Sequence, residues 1–287
     1  MTDGPTFGFT DEELAQHPTV YRGDLFKDQT VAVSGGGSGI GKAIAWLFGR
    51  LGAHVVICGR NAEKLEAAAA AMTAAGLAVE PIVCNIRNTD EVEAFFDKIY
   101  AGRGSLDVLI NNAGGQYPQP AIDIKPKGFN AVIDTNLNGT WWMMQAAAKR
   151  WRDAARPGSI VNIVAVVDRG MPGVAHTCAA RAAVVGLTRT VAIEWAPLNI
   201  RVNCVAPGAI ESQGFAAYTD EAREAFKRSN PMMHVGDVFD VAEGCVYLAS
   251  PSGKYITGDV LTIDGGGRHW GQFWAFPEPD YFKGSGR

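Results

Sequence analysis

The chain has 287 residues, of which 47% are hydrophobic, and this is enough to bury the core of one large α/β domain. The formal net charge of −4 argues against nucleic acid as a main partner. No apolar run approaches the roughly 20 residues of a membrane span, and the first residues lack the basic-then-apolar layout of a secretory signal, so we expect a cytoplasmic protein.

Strand-like and helix-like patterns alternate along the chain. Short apolar runs rich in β-branched residues predict strands at 30–34, 54–58, 78–84, 107–110, 159–164, 200–205 and 260–263. Helical periodicity covers the segments 40–51, 62–75, 89–101, 128–151, 175–195 and 238–249. This alternation predicts a doubly wound α/β fold, in which helices cover both faces of a parallel sheet.

No linker splits this pattern, so we predict one domain over 29–267, preceded by a polar lead at 1–28 and followed by a tail at 268–287. The five cysteines form no Cys-x-x-Cys pair and fall mostly in predicted buried elements, which favours reduced core thiols, and we predict no metal site. The tail holds more aromatic residues than a solvated terminus needs, so we expect it to pack on the body or on a neighbouring subunit. Its ring-bearing residues are His269, Trp270, Phe273, Trp274, Phe276, Tyr281 and Phe282.

A glycine-rich turn joins the first predicted strand to the first long helix and reads Ser-Gly-Gly-Gly-Ser-Gly-Ile-Gly over 34–41. Gly35 permits a tight exit from the strand, and Gly39 and Gly41 allow backbone and helix to approach a pyrophosphate. The helix that starts near Ile40 would direct its free N–H groups and positive dipole end at that phosphate. Glycine also marks ordinary turns, but the strand–loop–helix–strand context, with Ser38 in the loop, favours a dinucleotide site.

The end of the second predicted strand indicates which dinucleotide binds. An NAD site would place Asp or Glu there to bind the ribose 2′-hydroxyl, whereas this chain has Gly59, followed by Arg60 and Asn61. A guanidinium can bind a 2′-phosphate in bidentate fashion, and no carboxylate opposes it. The pattern favours NADP(H), the alternative being that Arg60 is an ordinary solvated loop charge.

Four further motifs follow the glycine-rich turn in order: Asn111-Asn-Ala-Gly114, Asn136-x-x-Gly139, Arg201-Val-Asn-Cys-Val-Ala-Pro-Gly208 and Ile256-Thr-Gly-x-x-Leu-x-x-Asp-Gly-Gly266. With them the chain resembles the short-chain dehydrogenase/reductase family from about residue 28 to residue 267. The resemblance implies a single Rossmann-type domain with a seven-stranded sheet, a nicotinamide cofactor, and assembly as a dimer or tetramer.

The resemblance also assigns cofactor contacts by position. Asn85 and Ile86 should flank the adenine, and Asn112, Ala113 and Gly114 should line the middle of the cofactor. The nicotinamide should pack against Pro207, Gly208 and Ile210, with Ser212 near the phosphates or the carboxamide. The plainer alternatives are that the asparagines satisfy backbone groups at a strand end and that Pro207-Gly208 is only a turn.

The catalytic set departs from the family's Ser, Tyr, Lys and Asn. Asn136 is kept, but the Ser position reads Ala165 or Val164, and the Tyr and Lys positions read Thr177 and Arg181. These last two are four residues apart on one helix and can both face the cofactor. A tyrosine beside a lysine can exchange a proton near neutral pH, whereas threonine cannot and arginine stays charged. Ordinary ketone reduction is therefore not expected, although Arg181 can hold the nicotinamide ribose and stabilise a developing anion.

Residues 176–184 resemble the branch that holds trans-2-enoyl-CoA and 2,4-dienoyl-CoA reductases, and they are also similar to citronellol-type dehydrogenases. The resemblance implies reduction of a conjugated double bond in an acyl thioester, for which an enolate needs fixed donors. A terpenoid alcohol or aldehyde dehydrogenase and a catalytically silent dinucleotide-binding protein are the alternatives. Asp168 is either a displaced proton donor or a loop residue paired with Arg169, and His176 either donates to a substrate oxygen or caps a helix.

Two predicted helices, 128–151 and 175–195, carry more apolar and aromatic residues than one buried face needs. The tryptophans among them are Trp141, Trp142, Trp151 and Trp195. This surplus, together with the family resemblance, predicts a homotetramer or at least a dimer.

Overall fold

The computed structural model describes residues 7–270, and its centre is a parallel sheet. Within that range seven strands are hydrogen-bonded in the order β3-β2-β1-β4-β5-β6-β9. The chain crosses from β3 to the other side of β1 to form β4, so the order reverses at the β1–β4 boundary. The strands are β1 (Thr30–Ser34), β2 (His54–Gly59), β3 (Val79–Val83), β4 (Val108–Asn111), β5 (Gly158–Ile163), β6 (Ile200–Pro207) and β9 (Val260–Ile263). This confirms the predicted doubly wound fold.

Helices cover both faces of the sheet. Successive residues of β1 point to opposite faces, so Val31 and Val33 belong to one buried cluster and Ala32 to the other. The first cluster includes Trp46 and Phe239, and the second includes Phe96 and Trp151. The helices are α1 (Asp11–Gln16), α2 (Gly39–Arg50), α3 (Ala62–Ala74), α4 (Thr89–Arg103), α5 (Pro126–Ile133), α6 (Thr140–Asp153), α7 (Ala175–Trp195), α8 (Asp220–Lys227) and α9 (Val238–Ala249).

The long helix predicted at 128–151 is wrong as one regular element. Between α5 and α6 the backbone is π-helical over Asp134–Gly139. There the Asn136 side chain accepts a hydrogen bond from the Gly115 N–H at 2.9 Å and donates to the Gly115 carbonyl at 3.0 Å. Such bulges often occur at functional sites, and periodicity cannot reveal one because the apolar stripe continues through it.

The N-terminal lead packs on the domain over its described part. α1 begins with a capping box between Thr10 and Glu13. Leu14 and Phe26 are buried, which the polar composition of this segment did not indicate. α8 and the short parallel pair β7 (Ile210–Glu211) and β8 (Gly236–Asp237) were also not predicted.

One of the four tryptophans predicted to be surplus to the buried core of the chain belongs to that core. Trp151 is fully buried within the chain, and its indole N–H donates to the Leu106 carbonyl at 2.7 Å. Trp141 and Trp195 stack on each other at 6.3 Å and remain only partly buried. The surplus apolar face is therefore smaller than the sequence suggested.

All five cysteines are free thiols, and four of them are buried. Among the helices of residues 7–270, none is long and apolar enough to cross a membrane.

Candidate dinucleotide and substrate site

The glycine-rich turn lies at the carboxyl end of β1, beside the β4 end, where the strand order reverses. Gly41 is packed so closely that a Cβ on it would overlap the Gly35 carbonyl oxygen and the Asn112 amide nitrogen. The Asn112 amide donates to the Ser34 carbonyl at 3.0 Å. The Ser34 hydroxyl accepts hydrogen bonds from the backbone N–H groups of Asn112 and Ala113 at 3.1 and 3.0 Å. Gly41 thus serves the internal packing of the turn on β4, beyond the approach to a ligand that the sequence suggested.

A cleft of about 620 Å³ opens at this edge and brings together most of the residues predicted for the cofactor. From the predicted set it is lined by Gly35, Ser38, Ile40, Gly41, Arg60, Asn61, Asn85, Ile86, Asn112, Ala113, Gly114 and Ser212. Gly59, which marks the missing carboxylate of an NAD site, lines it too, and so do residues that the sequence did not indicate, namely Gly37, Cys58, Lys64, Leu65, Cys84 and Thr135. Lys64 could have been found, because it lies three residues after Asn61, the N-cap of α3.

The remaining predicted cofactor residues lie beside this cleft rather than in its wall. Gly39 is the first residue of α2, and Arg181 lies behind Gly114. Pro207 ends β6, and the Gly208 N–H donates to the Ile263 carbonyl at 2.8 Å. Ile210 is buried in the apolar cluster that includes Val238. A packing role is therefore established for Ile210, and its contact with the nicotinamide stays a prediction.

The walls of the cleft fit a dinucleotide. The Ser38 side chain makes no hydrogen bond to the free N–H groups at the start of α2, so that helix end is open to an anion. Arg60 and Lys64 stand at one end of the cleft, where β2 closes with Gly59 rather than a carboxylate. Asn61 also caps α3, because its side chain accepts a hydrogen bond from the Lys64 N–H at 2.9 Å. These donors suit a pyrophosphate in the middle and a 2′-phosphate at one end.

Arg181 is the most unusual group of the site. It is only 7% exposed, and its Nη1 has no hydrogen-bond partner among the described residues. A Cβ on Gly114 would overlap the Arg181 Nη2 atom, so the guanidinium lies directly against the Gly114 backbone. Burial lowers the pKa of Arg181 to about 10. A buried cation with an unused donor is the arrangement expected when a ligand oxygen completes its hydrogen bonds.

A second buried donor lies near Arg181 in the chain. His176 is fully buried, and its Nδ1 accepts a hydrogen bond from the Thr177 backbone N–H at 2.8 Å. That bond places the proton of a neutral imidazole on Nε2, which has no hydrogen-bond partner in residues 7–270. The Tyr117 ring meets the imidazole edge-to-face at 4.7 Å. His176 is the second residue of α7 rather than its N-cap, which is Val174, but its ring accepts one of the N–H groups of the first turn, as a capping side chain does.

Asn136 and Asp168 occupy different surroundings from those expected. Both functional groups of the Asn136 amide are engaged by Gly115, so this side chain holds the loop that follows β4. Asp168 is exposed, unlike the buried residues of α7. Its predicted pairing with Arg169 is wrong, because Arg169 donates to the carbonyl oxygens of Gly267 and Trp270 and no Asp168 ion pair forms among the described residues.

The doubly wound sheet and the cleft at its carboxyl edge define a dinucleotide-binding protein of the Rossmann type. A family model described as Enoyl-(Acyl carrier protein) reductase matches residues 35–268. The chain belongs to the short-chain dehydrogenase/reductase family, as its motifs predicted, and is an NADP(H)-dependent oxidoreductase.

Several known proteins are similar over most of the chain. A peroxisomal 2,4-dienoyl-CoA reductase of Mus musculus is 38% identical over 262 residues, which cover 89% of this chain and 89% of that protein. The structure of a citronellol catabolism dehydrogenase of Pseudomonas aeruginosa superposes with a TM-score of 0.78 and 39% identity, covering 87% of this chain and 99% of the other. A short chain dehydrogenase of Bacillus anthracis gives a TM-score of 0.79 and 37% identity, covering 86% and 99%.

Proposed function

We propose that the enzyme uses NADPH to reduce the conjugated carbon–carbon double bond of an enoyl-CoA-type thioester. The observation that carries this proposal is the pair Thr177 and Arg181, buried where an ordinary ketone reductase has tyrosine and lysine. Neither side chain can exchange a proton near neutral pH, but Arg181 supplies a fixed positive charge with an unused donor. Stabilising an enolate needs only such donors and charge.

The cofactor, when bound, supplies a hydride to the β-carbon of the substrate. Arg181, held against Gly114, orients the nicotinamide ribose through its guanidinium and offsets negative charge that develops on the substrate. The His176 Nε2–H is the second donor, and it hydrogen-bonds the thioester oxygen as that oxygen gains charge. Thr177 fixes the His176 tautomer through its backbone N–H.

The α-carbon takes its proton from water in this scheme. Asp168 is exposed on the loop between β5 and α7, which disfavours it as the acid. Asn136 acts as a positioning residue, since its amide holds Gly115 and the loop that leads to Tyr117.

Cofactor contacts follow from the cleft. We assign the 2′-phosphate to Arg60 and Lys64, the adenine to the part of the cleft between Asn85 and Ile86, and the pyrophosphate to the start of α2. The resemblance assigns the nicotinamide to the Pro207–Gly208 segment. A cytoplasmic location and a dimer or tetramer complete the proposal.

One specific observation favours a second function, oxidation of a terpenoid alcohol. The citronellol catabolism dehydrogenase shares 39% identity with the chain, slightly more than the mouse dienoyl-CoA reductase. Alcohol oxidation requires a base to remove the hydroxyl proton. His176 is the buried candidate, but its Nδ1 is occupied and its Nε2 carries the proton in the neutral ring. This arrangement suits a donor better than a base.

The test is a matched substrate panel with the purified full-length protein. We expect NADPH consumption with crotonyl-CoA and no NADP⁺ reduction with citronellol. Robust alcohol oxidation with inert crotonyl-CoA would contradict the proposal and support the second function. Silence with both substrates, combined with tight NADPH binding, would indicate a dinucleotide-binding protein without turnover.

A further inference from the structure

Residues 7–17, here called the strap, are held on the rigid part of the domain. The Leu14 carbonyl accepts a hydrogen bond from Arg50, the last residue of α2, at 3.1 Å. The His17 ring stacks on Phe239 of α9 with 4.1 Å between ring centroids. Asp11 forms an ion pair with Lys42 of α2. These contacts fix the strap to two helices that pack on one face of the sheet.

Residues 213–227, here called the lid, connect two segments of the chain that line the cleft. The lid follows directly on Ser212, which lines the cleft. Its Tyr218 hydroxyl accepts a hydrogen bond from the Gln116 side chain at 2.9 Å. Gln116 lies two residues after Gly114, which also lines the cleft. The lid is therefore tied at both places to segments of the chain that line the cleft.

Arg223 organises the interior of the lid. Its guanidinium donates to the Phe215 carbonyl at 3.0 Å and to the Tyr218 carbonyl, and it pairs with Asp220. The Phe226 ring packs against Phe215 at 5.6 Å and against Tyr218 at 5.0 Å. Because backbone, charge and rings are joined at one place, the lid is expected to move as a unit.

Phe7 connects the strap to this organising residue. The Arg223 guanidinium carbon lies 4.7 Å from the centre of the Phe7 ring, and the Phe7 and Phe215 rings are 6.3 Å apart. The Gly8 backbone runs beside the start of the lid, since a Cβ on Gly8 would lie 3.3 Å from the Gln213 nitrogen. A cation held over an aromatic face gains most when it is shielded from water, and the Arg223 side chain is only 17% exposed.

We propose that Phe7 and Arg223 are positioning residues, whose contact ties the lid to the strap and keeps the lid closed over the part of the cleft that Gly114 and Ser212 line. The strap takes its own position from α2 and α9, so it transmits their rigidity to the lid. The closed lid holds Ser212 against the cofactor cleft and slows cofactor release. This requires a bound dinucleotide but does not depend on the identity of the substrate.

The experiment combines hydrogen–deuterium exchange over 213–227 with the NADPH dissociation rate, measured on the full-length protein. In Phe7→Ala both rates should rise about 3- to 10-fold, in line with loss of one shielded cation–π contact. Phe7→Tyr keeps the aromatic face and should behave as the unaltered protein does. Val20→Ala is the matched control, because Val20 lies between the strap and β1 but is 92% exposed.

A double-mutant cycle with Arg223→Met isolates the contact itself. Each variant raises the exchange rate of the lid by a certain factor. If Phe7 and Arg223 act through one contact, the factor for the double variant should be smaller than the product of the two single factors, by at least about 2-fold. Independent effects that multiply would overturn the proposal, as would unchanged lid exchange in Phe7→Ala. Faster exchange that extends to the amides of β1 would show global loosening and would also overturn it.

Discussion

Arg181 is buried and has no carboxylate partner among the described residues, so burial is the main influence on its pKa. Burial lowers the pKa of Arg181 to about 10, and the guanidinium therefore stays charged between pH 5 and pH 9. The folded-state pKa lies below the ordinary value, so the charge costs stability at neutral pH, and the cost is relieved as the pH rises past about 10.

Activity should fall with rising pH over the range in which stability rises. Loss of the Arg181 proton removes the charge that stabilises the developing anion, so kcat should fall as the pH rises through about 10. A pH–rate profile of the unaltered enzyme and of Arg181→Lys tests this. Lysine cannot copy the planar fork, so this variant should retain part of the cofactor binding but lose most of kcat. An unchanged kcat in Arg181→Lys would contradict the role given to Arg181.

Thr177→Val and His176→Gln separate the two neighbouring roles. Thr177 acts through its backbone N–H, so Thr177→Val should change kcat by less than about 10-fold, unlike loss of a catalytic acid. His176→Gln replaces a fixed ring donor with a more mobile amide donor, so kcat should fall roughly 10-fold or more, up to the roughly 100- to 1000-fold that complete loss of one oxyanion donor costs. Steady-state kinetics with saturating NADPH measure both. A larger loss for Thr177→Val than for His176→Gln would reverse the assignment.

Arg60 should determine the preference for NADPH over NADH. Removing one charge-assisted contact to a 2′-phosphate should weaken NADPH binding roughly 10- to 100-fold and leave NADH binding unchanged. Fluorescence titration of Arg60→Ala measures this, with Arg22→Ala as a control because that exposed arginine lies outside the cleft. An unchanged dissociation constant for NADPH would refute the assignment to Arg60.

At the level of structural elements, the loop after β4 connects several of these residues. Gly114 supports the Arg181 guanidinium, and Gly115 is clamped by Asn136 at the π-helical segment. The family motifs located both regions in the sequence, because each contains a fixed pattern of asparagine and glycine. They could not reveal that the Asn136 amide binds both backbone groups of Gly115, since this depends on which backbone lies opposite it.

Two adjacent glycines of this loop offer a matched comparison. A Cβ at Gly114 would overlap the Arg181 side chain, whereas a Cβ at Gly115 meets nothing within 4 Å. Gly114→Ala should therefore displace Arg181 and lower kcat at least about 10-fold, while Gly115→Ala should remain close to the unaltered enzyme. Equal kinetics for the two variants would show that Arg181 does not depend on the close approach at Gly114.

At the scale of the whole molecule, the sequence predicted the central α/β pattern well, because buried parallel strands are short apolar runs and β1 is buried along its whole length. The sequence did not predict α1 and α8, which have eight residues or fewer and bury few side chains. Periodicity needs more turns than these helices contain. The aromatic tail beyond residue 270 lies outside the described residues, so its packing stays a prediction.

The predicted oligomer is also a property of the whole molecule. Trp141 and Trp195 stack at the surface formed by α6 and α7, and Ile193 nearby in α7 is 78% exposed. If this surface joins two subunits, Ile193→Arg should shift the protein to a smaller species in light scattering at micromolar concentration, while Val20→Arg should not. A monomeric unaltered protein would contradict the predicted oligomer.

The destination of the hydride is the most direct measure of the chemistry proposed here. The enzyme would be incubated with crotonyl-CoA and NADPH that carries deuterium at the transferred position, and the product analysed by mass spectrometry and NMR. We predict one deuterium at C3 of the butyryl chain and one solvent-derived proton at C2. The reason is that the fixed donors of the site stabilise an enolate, which water then protonates at C2. No transfer to C3 of crotonyl-CoA, with deuterium delivered instead to the carbonyl carbon of the aldehyde that corresponds to citronellol in a parallel incubation, would contradict this prediction.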